Sequence, residues 1–166
     1  LDANDTSRVQ AVTTVVAKTQ GTDIAHVIKG TFYIGMQYHF HMEAQCCNVV
    51  PTEDSLDLYP SSQWMDLNQL ACAAALNIPT SRVNVKVRRL GGAFGAKIMR
   101  NTLVSTACAL AAHKLNKPVK IWLPMETNMT TIGKRYPLYA NYETGVNAQG
   151  VIQYLETDLY SDFGVG

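Results

Sequence analysis

The residues whose types and spacing favour chemistry lie in one short segment, Gly91-Gly92-Ala93-Phe94-Gly95-Ala96-Lys97. Glycines let a backbone turn with positive φ and let a ligand approach the main chain closely. A strand–glycine loop–helix passage also leaves several N–H groups unpaired and turned outward. Such a loop suits phosphate or oxo groups, and the same glycines equally serve an ordinary tight turn. The segment lacks the Gly-Lys-Ser/Thr ending of a P-loop and the spacing of G-x-G-x-x-G. Ser61-Ser62-Gln63 closes a strand and opens a helix. A Ser there is a helix cap, and a Gln at such a corner carries an amide that can donate into a crevice. His39 and His41 share one face of an extended segment. They make half a metal site with no second pair spaced to complete it, so structural hydrogen bonding is the expected role and no metal ligand is assigned. His113 falls late in a helix, where a cation favours the dipole, and His26 carries no signal.

Those residues need elements to hold them. Residues 1–22 are polar, Thr-rich and weakly periodic, and read as a linker or the tail of a preceding element. Residues 23–166 read as one partial domain. His26–Ile34 is rich in β-formers, and Met42–Val50 reads as a second strand ended by Pro51. Leu56 and Leu58 alternate in a third strand. Trp64, Leu67, Leu70, Ala71, Ala74 and Ala75 fall at helical spacing, and Asn77 and Pro79 stop that helix. Val83, Val85 and Val87 alternate with polar and basic neighbours, as in a strand with one buried face. A second helix over about residues 102–115 is apolar nearly all round, so burial is expected. A strand follows Pro118. The last part reads as a hairpin, Leu138–Val146 and Val151–Leu159, turned at Asn147-Ala148-Gln149-Gly150. Helices lie between strands, but hairpins break the βαβ rhythm. The fold class is therefore α+β, with mixed sheet strands and two main helices.

Composition limits the functions these elements can serve. The net charge is +1 with no basic block, which argues against a nucleic-acid surface. No apolar run is long enough to span a membrane. Hydrophobic residues make up 47% of the 166, which excludes extended disorder. Charged residues make up only 16%, against about 25% in ordinary soluble domains. With no initiator Met, no signal-peptide pattern and no polar tail, the chain reads either as a compact apolar domain or as a piece of a larger protein whose other parts cover its surface. Exposed by itself, such a surface is expected to aggregate. The four cysteines form no C-x-x-C, and neighbouring Cys46 and Cys47 cannot join without strain. They read as reduced thiols in a cytoplasmic protein.

Several motifs together resemble those of the molybdenum hydroxylases, the aldehyde oxidase and xanthine dehydrogenase family. Gly35-Met36-Gln37-Tyr38-His39-Phe40-His41-Met42-Glu43 resembles their G-x-Q-E-H-F-x-x-E, and Ser62-Gln63-Trp64 their S/T-Q-N. Arg89-Leu90-Gly91-Gly92-Ala93-Phe94-Gly95-Ala96-Lys97 is similar to R-x-G-G-G/A-F-G-G-K, and Lys134-Arg135-Tyr136-Pro137 to G-R-H-P. Order and spacing agree over about residues 26–160, and the wording is nearest that of insect-type aldehyde oxidases. Tyr38 stands where the family has Glu, and Ala96 where it has a second loop Gly.

The resemblance implies a fragment of a molybdopterin-binding domain from a large homodimeric enzyme that also carries two [2Fe–2S] clusters and FAD. It implies oxidation of small-molecule aldehydes to carboxylic acids, with water as oxygen source and O2 as electron acceptor. Cofactor contacts carry over to Gln63, which matches a Gln hydrogen-bonded to an oxo ligand of molybdenum. They carry over also to Gly92 and Ala93, and to Phe94 and Gly95, which match a Phe-Gly pair whose main chain lies against the metal centre in the family. After the loop Lys, xanthine dehydrogenases carry a purine-recognising Glu and aldehyde oxidases an aliphatic residue. Ile98 stands there, and an apolar side chain leaves a polar heterocycle without its hydrogen bonds. The family's catalytic Glu has no counterpart in these 166 residues, so no catalytic residue is assigned and the segment alone is expected to be inactive. The alternatives are a purine hydroxylase of the xanthine dehydrogenase type and a non-catalytic binding or scaffold homologue.

Overall fold

The computed structural model describes residues 11–16 and 21–162. The chain divides into two units, one made of the residues up to Gln37 together with those from Arg135 onward, the other of Tyr38–Lys134.

The first unit is an antiparallel sheet. Its strands are β1 (Ala11–Val16), β2 (His26–Ile34), β7 (Leu138–Val146) and β8 (Ile152–Ser161), in the order β1-β8-β7-β2. β2 has the ends its β-rich sequence predicts. The β7–β8 turn is built by Asn147, whose Oδ1 accepts the N–H groups of Gln149 (3.1 Å) and Val151 (2.9 Å). Ala11–Val16 pairs with β8, so part of the stretch read as linker or tail is a strand. Residues 1–10 and 17–20 of that reading lie outside the described residues. Gln37 and Arg135 form an isolated antiparallel bridge, each main-chain N–H donating to the other's carbonyl at 3.4 and 2.8 Å.

The second unit holds β3 (Cys46–Pro51), β4 (Leu56–Pro60), α1 (Met65–Leu76), β5 (Val83–Val85), α2 (Asn101–Leu115), β6 (Val119–Trp122) and α3 (Met125–Thr131). Its sheet runs β5-β4-β3-β6, with β4–β5 parallel and the other pairs antiparallel. The architecture is α+β. Val49, Leu58, Cys72, Val83, Cys108, Ala109 and Ala112 lie at its centre and are shut off from solvent. Small residues on α1 and α2 let the helices sit close to the sheet, while branched strand residues fill the space. Asn77 and Asn116 end the two helices in the left-handed conformation, at φ +52° and +49°, the second choice after Gly for that position.

The fold differs from the sequence reading at four points besides β1. The strand read through Val87 ends at Val85. Met42–Gln45 is not strand, because Glu43 turns to pair with Gly91 and the Gln45 N–H goes to the Asn128 side chain. The second helix buries one face only, since Leu103 and Leu110 are exposed while Val104, Cys108 and Ala112 are buried. α3 forms from a Thr-rich segment that periodicity does not mark. Its Thr130 and Thr131 hydroxyls donate back to the carbonyls of Glu126 and Thr127 at 3.1 and 2.7 Å, which keeps Thr compatible with a helix. Among the described residues, no helix is long and apolar enough to cross a membrane.

Candidate functional site

The glycine loop follows β5 and precedes α2, as its sequence position requires. Within it, Ala96 N–H donates to the Ala93 carbonyl at 3.0 Å. Phe94 and Gly95 between them have φ of +52° and +95°. That turn demands positive φ at both central residues. Gly95 meets the demand without strain, whereas a bulky residue such as Phe94 rarely adopts it. Strain of this kind persists where surroundings enforce it and collects at functional sites. Phe94 is also 71% exposed. Ala96 has no positive φ, so its methyl group is accommodated where the family carries Gly.

The segment 39–43 runs beside the loop. Glu43 N–H donates to the Gly91 carbonyl at 3.1 Å, and a Cβ added at Gly91 would fall 2.6 Å from that of Glu43. Gly92, at φ +89°, comes within 3.3 Å of the His41 Cβ by the same construction. The close approach to Glu43 accounts for glycine at 91, and the positive φ together with the tight contact with His41 accounts for glycine at 92. The two histidines therefore lie along the loop rather than on a strand. His41 is buried, and its Nδ1 meets the Glu43 carbonyl at 2.5 Å. That contact places the proton on Nδ1, and the buried Nε2 has no partner among the described residues. Burial holds the His41 pKa below the ordinary imidazole value, with the nearby Lys97 charge adding to the shift and the Glu43 carbonyl opposing it.

Gln63 joins the loop to the start of α1. Its main-chain N–H donates to the Lys97 carbonyl at 3.0 Å. Its Oε1 accepts the N–H groups of Gly95 (3.2 Å) and Lys97 (3.3 Å). Two donors fix which end of the amide is oxygen, so both Nε2 protons are left for another acceptor. Among the described residues, the N–H groups of Gly92, Ala93 and Phe94 also find no protein acceptor. Loop and amide together present donors to one neighbourhood, an arrangement suited to an oxyanion or oxo group. Ile98 follows directly, exposed, with its N–H on the Gly95 carbonyl.

Buried polar groups beneath the loop set its shape. Gln45 Nε2 donates to the Ala96 carbonyl at 2.9 Å, and its Oε1 accepts from Asn101 Nδ2 at 2.7 Å. Asn101 Oδ1 in turn accepts the Ser105 hydroxyl at 2.9 Å. Ser62 Oγ lies 3.2 Å from the Lys97 carbonyl and accepts Asn68 Nδ2 at 2.6 Å. Ser62 thus braces the loop, and Trp64 is the N-cap of α1. Lys97 is wholly buried and pairs with Glu43 Oε2 at 2.5 Å. Gln45 and Ser62 reach the loop from 51 and 35 residues away, so no periodic pattern links either of them to it.

Two further concavities are a groove of about 550 Å3 on the polar face of the first unit's sheet and an apolar pocket of about 250 Å3 beside α2, which Gln45 also lines. Among the described residues, no group of three or more His, Cys, Asp or Glu could hold a metal ion. All four cysteines are free thiols, and a hydrogen bond to Cys108 together with burial pushes the Cys47 thiol far up.

Residues 7–166 match the family described as molybdopterin cofactor-binding domain. The chain is 39% identical over 140 residues to probable aldehyde oxidase 1 of Oryza sativa subsp. japonica, covering 84% of this chain and 10% of that protein. It is 37% identical over 141 residues to xanthine dehydrogenase/oxidase of Gallus gallus, with the same coverages. It thus spans about a tenth of the length of these relatives. The solved aldehyde oxidoreductase of Desulfovibrio gigas shares its fold with a TM-score of 0.58 at 22% identity, over 90% of this chain and 17% of that one.

Proposed function

The chain belongs to the molybdopterin cofactor-binding domain family, and from that premise we propose that its loop and Gln63 hold a molybdopterin-type cofactor in an aldehyde-oxidising molybdenum hydroxylase. The observation that carries the reading is the Gln63 amide, whose oxygen is occupied by Gly95 and Lys97 N–H groups and whose nitrogen is free to donate. The N–H groups of Gly92, Ala93 and Phe94 supply further donors that the fold leaves unused. Neutral donors held rigidly in place suit the oxo groups of such a cofactor. When bound, the cofactor supplies the two-electron redox chemistry, and the protein supplies orientation and electrostatics.

Ile98 is the residue we assign to the substrate. An exposed aliphatic group next to the loop in sequence favours an aldehyde with an apolar body, and gives a purine no hydrogen-bond partner. The whole enzyme in this reading is a cytoplasmic homodimer that passes electrons through two [2Fe–2S] clusters and FAD to O2. Residues 1–166 alone contribute cofactor and substrate contacts but no base, so they turn nothing over.

The test replaces Gln63 by Ala in the full-length protein and measures molybdenum and pterin per polypeptide. The expected loss is about tenfold or more, and unchanged content overturns the assignment. Turnover of benzaldehyde against hypoxanthine then separates the substrate classes. Preference for hypoxanthine would replace the aldehyde reading by the purine one.

A further inference from the structure

We infer that the Glu43–Lys97 pair is a positioning clasp, which closes both ends of the glycine loop on one carboxylate and thereby sets the donor array. The inference rests on the cofactor reading above. The loop begins at Gly91 and ends at Lys97, and both ends meet Glu43 Oε2. Gly91 N–H donates to it at 3.2 Å and Lys97 Nζ at 2.5 Å. The main chain adds a third tie, from Glu43 N–H to the Gly91 carbonyl. Glycine at 91 is what allows this approach, since any Cβ there would overlap that of Glu43.

The Lys97 side chain is wholly buried, while Glu43 is about one-third exposed. Burying an ammonium group is costly, and a pair of this kind is often no more stabilising than apolar residues of similar volume. Its contribution is geometric. Lys97 also carries a backbone N–H held by Gln63 Oε1 and a carbonyl held by Gln63 N–H and near Ser62 Oγ. Fixing the Lys97 side chain therefore fixes the peptide groups that orient Gln63. Glu43 acts on the opposite end, where Gly91 leads into the free N–H groups of Gly92, Ala93 and Phe94. Neither charged group needs to touch the cofactor, so both are positioning residues.

The experiment compares full-length parent protein with Lys97→Arg, Glu43→Gln and the double variant Glu43→Leu/Lys97→Met. Two readouts are taken: hydrogen exchange of the Gly95 and Lys97 amides in cofactor-free protein, and molybdenum content after loading. The double variant removes both buried charges and is expected to keep the exchange protection of β3, β4 and α2. Its loop amides should exchange about tenfold or more faster, and its molybdenum content should fall by a similar factor. Lys97→Arg should retain most of both, and Glu43→Gln should lose loop protection. Unchanged loop exchange in the double variant overturns the clasp. So does a loss of protection that spreads to α2, because the pair would then be a folding element. If the parent takes up no molybdenum, the cofactor reading fails by itself, and the exchange result still decides the clasp.

Discussion

The two units organise their polar groups in opposite ways. In the antiparallel sheet, charged and hydroxyl groups meet at the surface, as with the exposed Lys29–Glu143 pair at 2.6 Å and Thr14 with Asp158 at 2.7 Å. Ala140 and Tyr154 are its buried apolar residues among those described. In the Tyr38–Lys134 unit the polar groups Gln45, Ser62, Asn68, Lys97 and Asn101 are buried, and they surround the loop that presents the donors. An apolar core supports them from below. A hydrogen bond shielded from water holds its geometry more firmly than one in contact with water. A site that must hold several N–H groups at fixed positions is therefore better built on the second kind of scaffold.

That contrast yields four expectations, each readable by native-state hydrogen exchange or thermal unfolding of the full-length protein. Leu58→Ala should have the largest effect, lowering the opening free energy of the β3 and β4 amides by about 2–5 kcal/mol. A cost below that range would show that the core is not what supports the loop. Asn101→Leu should cost about 1–3 kcal/mol by leaving Gln45 Oε1 and the Ser105 hydroxyl without their partner. It should speed exchange at the loop more than in the sheet of the first unit, and equal effects in both would dissolve the contrast. The third is a pH effect at His41, whose folded pKa lies below its unfolded value of about 6.5. The unfolded chain then binds the extra proton first as pH falls. Stability due to the neutral ring is full above the unfolded pKa and is lost as pH drops from there toward the folded one. His41→Phe should flatten the dependence of melting temperature on pH in that window, and an unchanged slope would remove His41 from the account. Smallest is Lys29→Ala, where an exposed ion pair contributes little. No measurable shift in melting temperature is expected, and a clear one would show the first unit leaning on its surface charges.

The parts legible in the sequence are those where a local pattern carries the structure. The alternation at Val83 and Val85 gives β5 with Val83 buried, although the strand stops short of Val87, and β2 spans the β-rich run His26–Ile34. Asn77 marks the end of α1, as its sequence position predicts. The family resemblance, with residues 7–166 matched, rests on motifs of the same local kind. What pattern does not carry is long-range. Glu43 reads as part of an extended strand until Gly91 and Lys97, distant in sequence, turn it to the loop. The exposed side of α2 is invisible because Leu103 and Leu110 sit in the same apolar run as the buried Val104 and Cys108. At the loop, the glycines signal a turn, but nothing in them says that Phe94 will share the positive φ or that Gln63 will supply the acceptor.

The antiparallel bridge between Gln37 and Arg135 bears on how the chain assembles. It joins the two points where the backbone leaves and re-enters the first unit, so β2 cannot pair with β7 until residues 38–134 have been closed into a loop. Closing a flexible loop of that length carries a substantial entropy cost, and pairings between distant segments slow folding. The intervening unit has its own core, and forming it first replaces a long flexible loop by a compact one with its ends confined. Pairing of β2 with β7 is then expected late in refolding, while the local β7–β8 hairpin needs no such closure.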